Sequence, residues 1–152
     1  MEKNVLISEL RAFLIDESAC QQVLQELSER AEISIVIADR IELSVFQKDQ
    51  IIHVEERKAV APDFIFKAAP QAIEVLIGRK QGSVAQLGVL LIKQIVGGDI
   101  SVSMPANLLQ VTQKGYLNII KAGGIEFLAE LQKHNLTSIP KIISALKKLK
   151  KS

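Results

Sequence analysis

The chain has 152 residues, of which 48% are hydrophobic and 24% charged, and a formal net charge of +2. That composition and length exclude a disordered chain and suit one ordinary domain. No run of about 18 apolar residues is present to cross a membrane, and the start, Met1-Glu2-Lys3-Asn4, has no secretory pattern. With Cys20 as the one cysteine and only His53 and His134 as histidines, an internal disulfide and a multi-cysteine metal site are excluded, and a reducing, cytoplasmic setting is expected.

Charge is unevenly placed. Residues 1–56 carry 12 acids against 5 bases, whereas residues 133–152 carry six lysines and no acid. A lysine-only end suits an anionic surface; it equally suits the negative C-terminal pole of a last helix.

Residues 3–30 read as helix. Leu6, Leu10, Phe13, Cys20, Leu24 and Leu27 recur at gaps of four, three and seven, with Leu14 and Val23 widening the stripe. Asp16-Glu17-Ser18 can divide it in two, because Asp and Ser favour N-caps. Such a stripe either packs on its own domain or forms a seam to a partner or a second copy.

Three strands follow. Ile33, Ile35 and Ile37, then Ile41, Leu43 and Val45, then Ile52 and Val54 alternate with neighbours such as Ser34, Glu42, Ser44 and His53. Period two with β-branched residues predicts half-buried antiparallel strands, with hairpin loops at Asp39-Arg40 and Lys48-Asp49. Phe64 and Phe66 suggest a short fourth strand, unless Asp63 caps a helix. Pro70 fits the first turn of a helix to Ile77, with Gly78 as a left-handed stop.

Ser83 is a good N-cap for a helix from Val84 to Val96. Val84, Leu87, Leu91 and Ile95 form one apolar face, and Ala85, Val89, Ile92 and Val96 another. A helix apolar nearly all round is enclosed by protein or touches an apolar ligand. After the Gly97-Gly98 turn, Ile100, Val102 and Met104 predict a fifth strand. Pro105 opens a helix through Leu108 and Leu109 that is interrupted near Gly115. Residues 125–134 and a final helix from Ser138 complete the chain, the latter with Ile139, Ile142, Ile143, Leu146 and Leu149 set among lysines. Strands in a run followed mainly by helices imply an α+β layer architecture in one domain, residues 1–152.

Catalytic and cofactor motifs are absent. The glycines have neither dinucleotide-binding nor P-loop spacing, and no paired-histidine, CxxC or EF-hand pattern occurs. Cys20 lies in an apolar stripe, which suits a buried thiol, and Glu55 and Glu56 point to opposite faces of a strand, which is wrong for an acid–base pair. The basic end has no interleaved aromatics for stacking bases. The reading is of a protein with no enzymatic residues, cofactor, metal or nucleic-acid partner.

From Ile33 to Gly124 the chain resembles the sterol-carrier-protein domain family of nonspecific lipid-transfer type. The pattern consists of three short amphipathic strands, then Asp63-Phe64-Ile65-Phe66 running into a helix that ends Val75-Leu76-Ile77-Gly78, then Gly98-Asp99-Ile100-Ser101-Val102 and the Leu108-Leu109 helix. The chain departs from it in carrying extra helical stretches, residues 1–30 and 125–152, and in ending Lys150-Lys151-Ser152, without the peroxisomal Ser-Lys-Leu type of address. The resemblance implies a five-stranded mixed, mainly antiparallel sheet with helices on one face and an apolar tunnel for a lipid tail. It implies a lining drawn from Phe64, Phe66, Leu76, Leu87, Leu90, Leu91, Ile95, Val102, Leu108 and Leu109. It further implies non-catalytic binding and transfer of an acyl, sterol-like or isoprenoid lipid, or an accessory role presenting isoprenoid quinone precursors to enzymes. The last helix, with Lys141, Lys147, Lys148, Lys150 and Lys151, would then serve as a lid or a peripheral membrane contact.

Overall fold

The computed structural model describes residues 2–78, 83–116 and 118. The chain opens with α1 (Lys3–Asp16) and α2 (Ser18–Leu24), divided at Glu17, whose extended backbone breaks the helix where the sequence allowed it. The stripe of Leu6, Leu10, Phe13, Cys20 and Leu24, joined by Ile7, is buried in the chain's own core and is therefore not left free for a second copy. Helix does not continue to residue 30. The backbone at Leu27 and Ser28 bonds elsewhere instead: Gln47 Nε2 donates to Leu27 O at 2.6 Å, and Ser28 N donates to Lys114 O at 2.9 Å.

Five strands follow the expected alternation: β1 (Ile33–Ile37), β2 (Ile41–Lys48), β3 (Ile51–Glu56), β4 (Phe64–Ala68) and β5 (Ile100–Ser103). They form one sheet in the order β3-β2-β1-β4-β5. β1 and β4 are parallel, and the other neighbours are antiparallel. The fold is therefore α+β with a five-stranded mixed sheet. Both hairpins turn one residue earlier or later than the sequence suggested, at Ala38-Asp39 and Asp49-Gln50. All four turn residues have positive φ, between 53° and 63°, the backbone that matches a tight turn to the twist of its strands.

Register puts Ile33, Ile35, Ile37, Leu43, Val45, Val54, Phe66 and Val102 on one face of the sheet, towards the helices. On the opposite face Ser34 and Ser44 are buried as well, at 1% and 0% exposure. The cover is the segment 57–63, which carries the chain from β3 across β2 and β1 to β4. Glu42 accepts from Ser34 Oγ and Ala59 N, and Glu32 from Ser44 Oγ, Val60 N and Ala61 N. Two carboxylates thus hold a crossing segment that has no ladder of its own.

Burial pulls the Glu32 carboxyl upward, but the bonds from Ser44, Ala61 and Val60 and the Arg57 charge outweigh it and leave it below the ordinary carboxylate value. A depressed value stabilises the fold above the unfolded carboxylate value and ceases to do so as pH falls through the folded one. Glu32→Gln is expected to cost about 1–3 kcal/mol at neutral pH. Urea unfolding as a function of pH should show the gap between variant and parent closing as the pH falls below about 4.

Pro70 opens α3 (Pro70–Ile77) as expected. Gly78 is not a left-handed stop: its φ is −70°, and the helix simply ends there with Gly78 N bonded to Glu74 O. α4 (Val84–Val96) begins at Ser83 in a full capping box with Gln86. Its left-handed glycine is Gly98, at φ +89°. Pro105 does not open the next helix. Asn107 does, in a second capping box with Gln110, and α5 (Leu108–Gln113) follows. Asp63 caps no helix either: it lies just before β4, 1% exposed, accepting from Lys114 Nζ, Tyr116 Oη and Glu32 N. The outer edge of β3 is closed by α1, with Arg11 Nε donating to Val54 O at 3.1 Å and Lys3 paired with Glu56 at 3.3 Å.

Candidate apolar cavity

Sheet and helices do not meet completely. Between them lies a cavity of about 170 Å³. Its floor is the inner sheet face, with Ile33 and Ile35 from β1, Val45 from β2, Phe66 and Ala68 from β4, and Ile100 from β5. α1 supplies Leu10, Phe13 and Leu14, α2 supplies Cys20 and Leu24, α3 supplies Ile73 and Leu76, and α4 supplies Leu87 and Leu91. The space lies where side chains from four helices meet the inner face of the sheet. The two rings among the lining residues, Phe13 and Phe66, come from opposite layers.

Among the described residues the lining is hydrocarbon, apart from one thiol. Burial pushes Cys20 up to about 12, and the Glu17 charge adds to the shift. Cys20 is therefore a protonated, unreactive wall group. Ile33, Ile35, Phe66, Leu76, Leu87 and Leu91 are only half-buried, and they mark where the cavity meets its surroundings. Among the described residues no cluster of His, Cys, Asp and Glu could hold a metal ion, and no helix is long and apolar enough to cross a membrane.

Of the residues the sequence nominated, Phe66, Leu76, Leu87 and Leu91 line this cavity. Ile95 and Val102 do not; they are 4% and 1% exposed and belong to the solid core beside it. Phe64 is half-buried one step along β4, its ring 4.9 Å from Tyr116 and 6.4 Å from Phe66. Leu90 is half-buried on α4 outside the lining, and Leu109 is 64% exposed. The side chain of Leu108 lies outside the described residues, as do His134 and the lysines 141, 147, 148, 150 and 151.

Sequence reasoning missed the contribution of α1 and α2. The signal was present, since Leu10, Phe13, Cys20 and Leu24 are members of the apolar stripe. Helix α4 is also less enclosed than its composition demands: only Ile92 and Ile95 are buried, and Val96 is 47% exposed.

Fold and cavity together define an α+β protein with an apolar chamber between a mixed sheet and a layer of helices. No protein family and no curated protein matches the chain. Among solved structures it is similar to a chain titled "UbiJ-SCP2 Ubiquinone synthesis protein", at a TM-score of 0.46 and 18% identity, over 78% of this chain and 93% of that one.

Proposed function

We propose that this protein binds the aliphatic chain of a lipid without catalysis, in the cavity between the sheet and helices α1 to α4. The observation that supports the reading is the lining: among the described residues, the side chains around this partly open space offer hydrocarbon and one buried thiol. Such a wall gains about 0.8 kcal/mol for each ligand methylene it takes out of water. An engineered cavity of about 150 Å³ holds a benzene, so a space of about 170 Å³ seats a short stretch of chain. A longer ligand continues over the half-buried apolar side chains at the rim, Leu87 and Leu91 among them. The basic residues from Lys141 to Lys151 would supply contact with an anionic membrane, where each lysine contributes about 1 kcal/mol.

Solvent extraction of the purified chain, followed by mass analysis, is expected to release a lipid. Ala68→Leu is the matching variant, because Ala68 is buried at 6% and lines the cavity. Filling the space should raise stability by about 1 kcal/mol and abolish the co-purifying lipid. A lipid-free parent in a stable complex with another protein would instead favour an accessory role. Liposome flotation tests the basic end: deletion of residues 138–152 should reduce binding to phosphatidylglycerol vesicles.

A further inference from the structure

On the reading just given, we infer that the ligand enters by its apolar end and that the cavity selects a chain terminus bearing no polar atom. A polar group inside would need a partner, and among the described residues the lining offers nothing stronger than the weak Cys20 thiol. Among the described residues no lining side chain carries a hydroxyl, amide, carboxylate or ammonium group. Of the strands beneath the cavity, β1, β2 and β4 are paired on both sides, so their amides and carbonyls are engaged in ladders; β5, at the sheet edge, is paired with β4. Among the described residues no buried side-chain nitrogen or oxygen lacks a hydrogen-bond partner.

The buried polar side chains among the described residues are also committed elsewhere. Ser34 and Ser44 face the outer side and bond Glu42 and Glu32; Gln47 bonds the Leu27 carbonyl; Asp63 holds Lys114 and Tyr116. Among the described residues no buried side chain is left vacant for a ligand's hydroxyl or carbonyl. A polar ligand atom brought inside therefore gives up its water and receives nothing in exchange.

The space is also small enough to make this a recognition of the end. With about 170 Å³ available, against about 150 Å³ for a cavity that holds one benzene, roughly the last six carbons are read, and the headgroup stays beyond the rim. The ligand class is accordingly a lipid with an unmodified aliphatic terminus, acyl or prenyl, and not one oxygenated at that end.

Two probes differing by one oxygen test this on the full, delipidated chain: dodecanoic acid and 12-hydroxydodecanoic acid, titrated by calorimetry and followed through isoleucine and leucine methyl signals. Dodecanoic acid is expected to bind and to shift the methyls of Leu24, Ile35 and Ile73. The hydroxylated acid should bind roughly tenfold to a hundredfold more weakly. Equal affinities, with the same methyls shifted, would overturn selection by the chain end while leaving lipid binding intact. Failure of dodecanoic acid itself to bind, or shifts confined to residues away from the cavity, would remove the lipid-binding reading and this inference together.

Discussion

Asp63→Ala is expected to lower the stability of the fold by about 3–5 kcal/mol, the range for leaving a buried charge without its partner. Asp63 is 1% exposed, and three donors converge on its two oxygens: Lys114 Nζ at 2.7 Å on Oδ1, with Tyr116 Oη at 2.8 Å and Glu32 N at 3.0 Å on Oδ2. Its own N–H returns to Glu32 O at 2.8 Å. One side chain thus ties the start of β1, the start of β4 and the segment after α5, which are far apart in sequence. Burial raises the Tyr116 hydroxyl well above its ordinary value, and the hydrogen bond to Asp63 and its charge raise it further, so the phenol remains a donor. In the alanine variant the Lys114 ammonium, only 16% exposed, would lose its counter-charge. The midpoint of thermal unfolding should drop by roughly 10 °C. Asp63→Asn, which keeps an acceptor for Tyr116 and Glu32 N, should cost less, and Tyr116→Phe about 1 kcal/mol. Urea titrations of the three variants measure the order. An alanine variant within about 1 kcal/mol of the parent would show that Lys114 reaches water without loss.

The same residue shows where the sequence stops being readable. The strands were legible because one face of each is apolar and the other polar: Ile33, Ile35 and Ile37 against Ser34, Ile41 and Leu43 against Glu42 and Ser44. That signal is local and has a period of two. The parallel pairing of β1 with β4 has no local signal. It depends on Asp63 and Glu32 exchanging bonds across 31 residues and on Tyr116 reaching Asp63 across 53. Taken alone, an aspartate before an apolar run reads as a helix cap, and only the assembled fold shows it as a buried clamp. Asn107 is the opposite case. Its capping box with Gln110 was written in the sequence, but Pro105 drew attention two residues too early.

The cavity was half legible for a related reason. Composition marks α4 as a helix needing apolar company, and alternation places Phe66 beneath it. Which stripe residues end at a void and which end in solid contact is decided by how layers meet. Val102 and Phe66 are direct cross-strand partners, yet Phe66 lines the space while Val102 is enclosed at 1% exposure. Pattern locates the face; the fit of side chains from α1 and α2 sets the boundary of the hollow.

The second large effect is expected at Gly115, and Gly98 supplies its control. Both have left-handed backbones, φ +92° and +89°. At Gly98 a Cβ would meet nothing within 4 Å, so Gly98→Ala should cost only the backbone term, about 1–2 kcal/mol. At Gly115 a Cβ would lie 2.6 Å from the Glu26 carbonyl oxygen. That oxygen is backbone and cannot swing aside: the next turn is fixed by the bond from Ser28 N to Lys114 O, and Leu27 by Gln47. Gly115→Ala should therefore cost about 3–4 kcal/mol, combining left-handed strain with displacement of the α2–β1 connection. Asparagine separates the two components. It tolerates the left-handed region, so Gly98→Asn should recover part of the loss seen with alanine. Gly115→Asn should not, because its Cβ makes the same collision. Denaturant unfolding of the four variants gives the comparison, and equal costs at the two positions would mean that the Glu26 backbone yields freely. Leu24, two residues before Glu26, lines the cavity, so a forced shift at Gly115 should also weaken the proposed binding of dodecanoic acid, while Gly98→Ala leaves it unchanged.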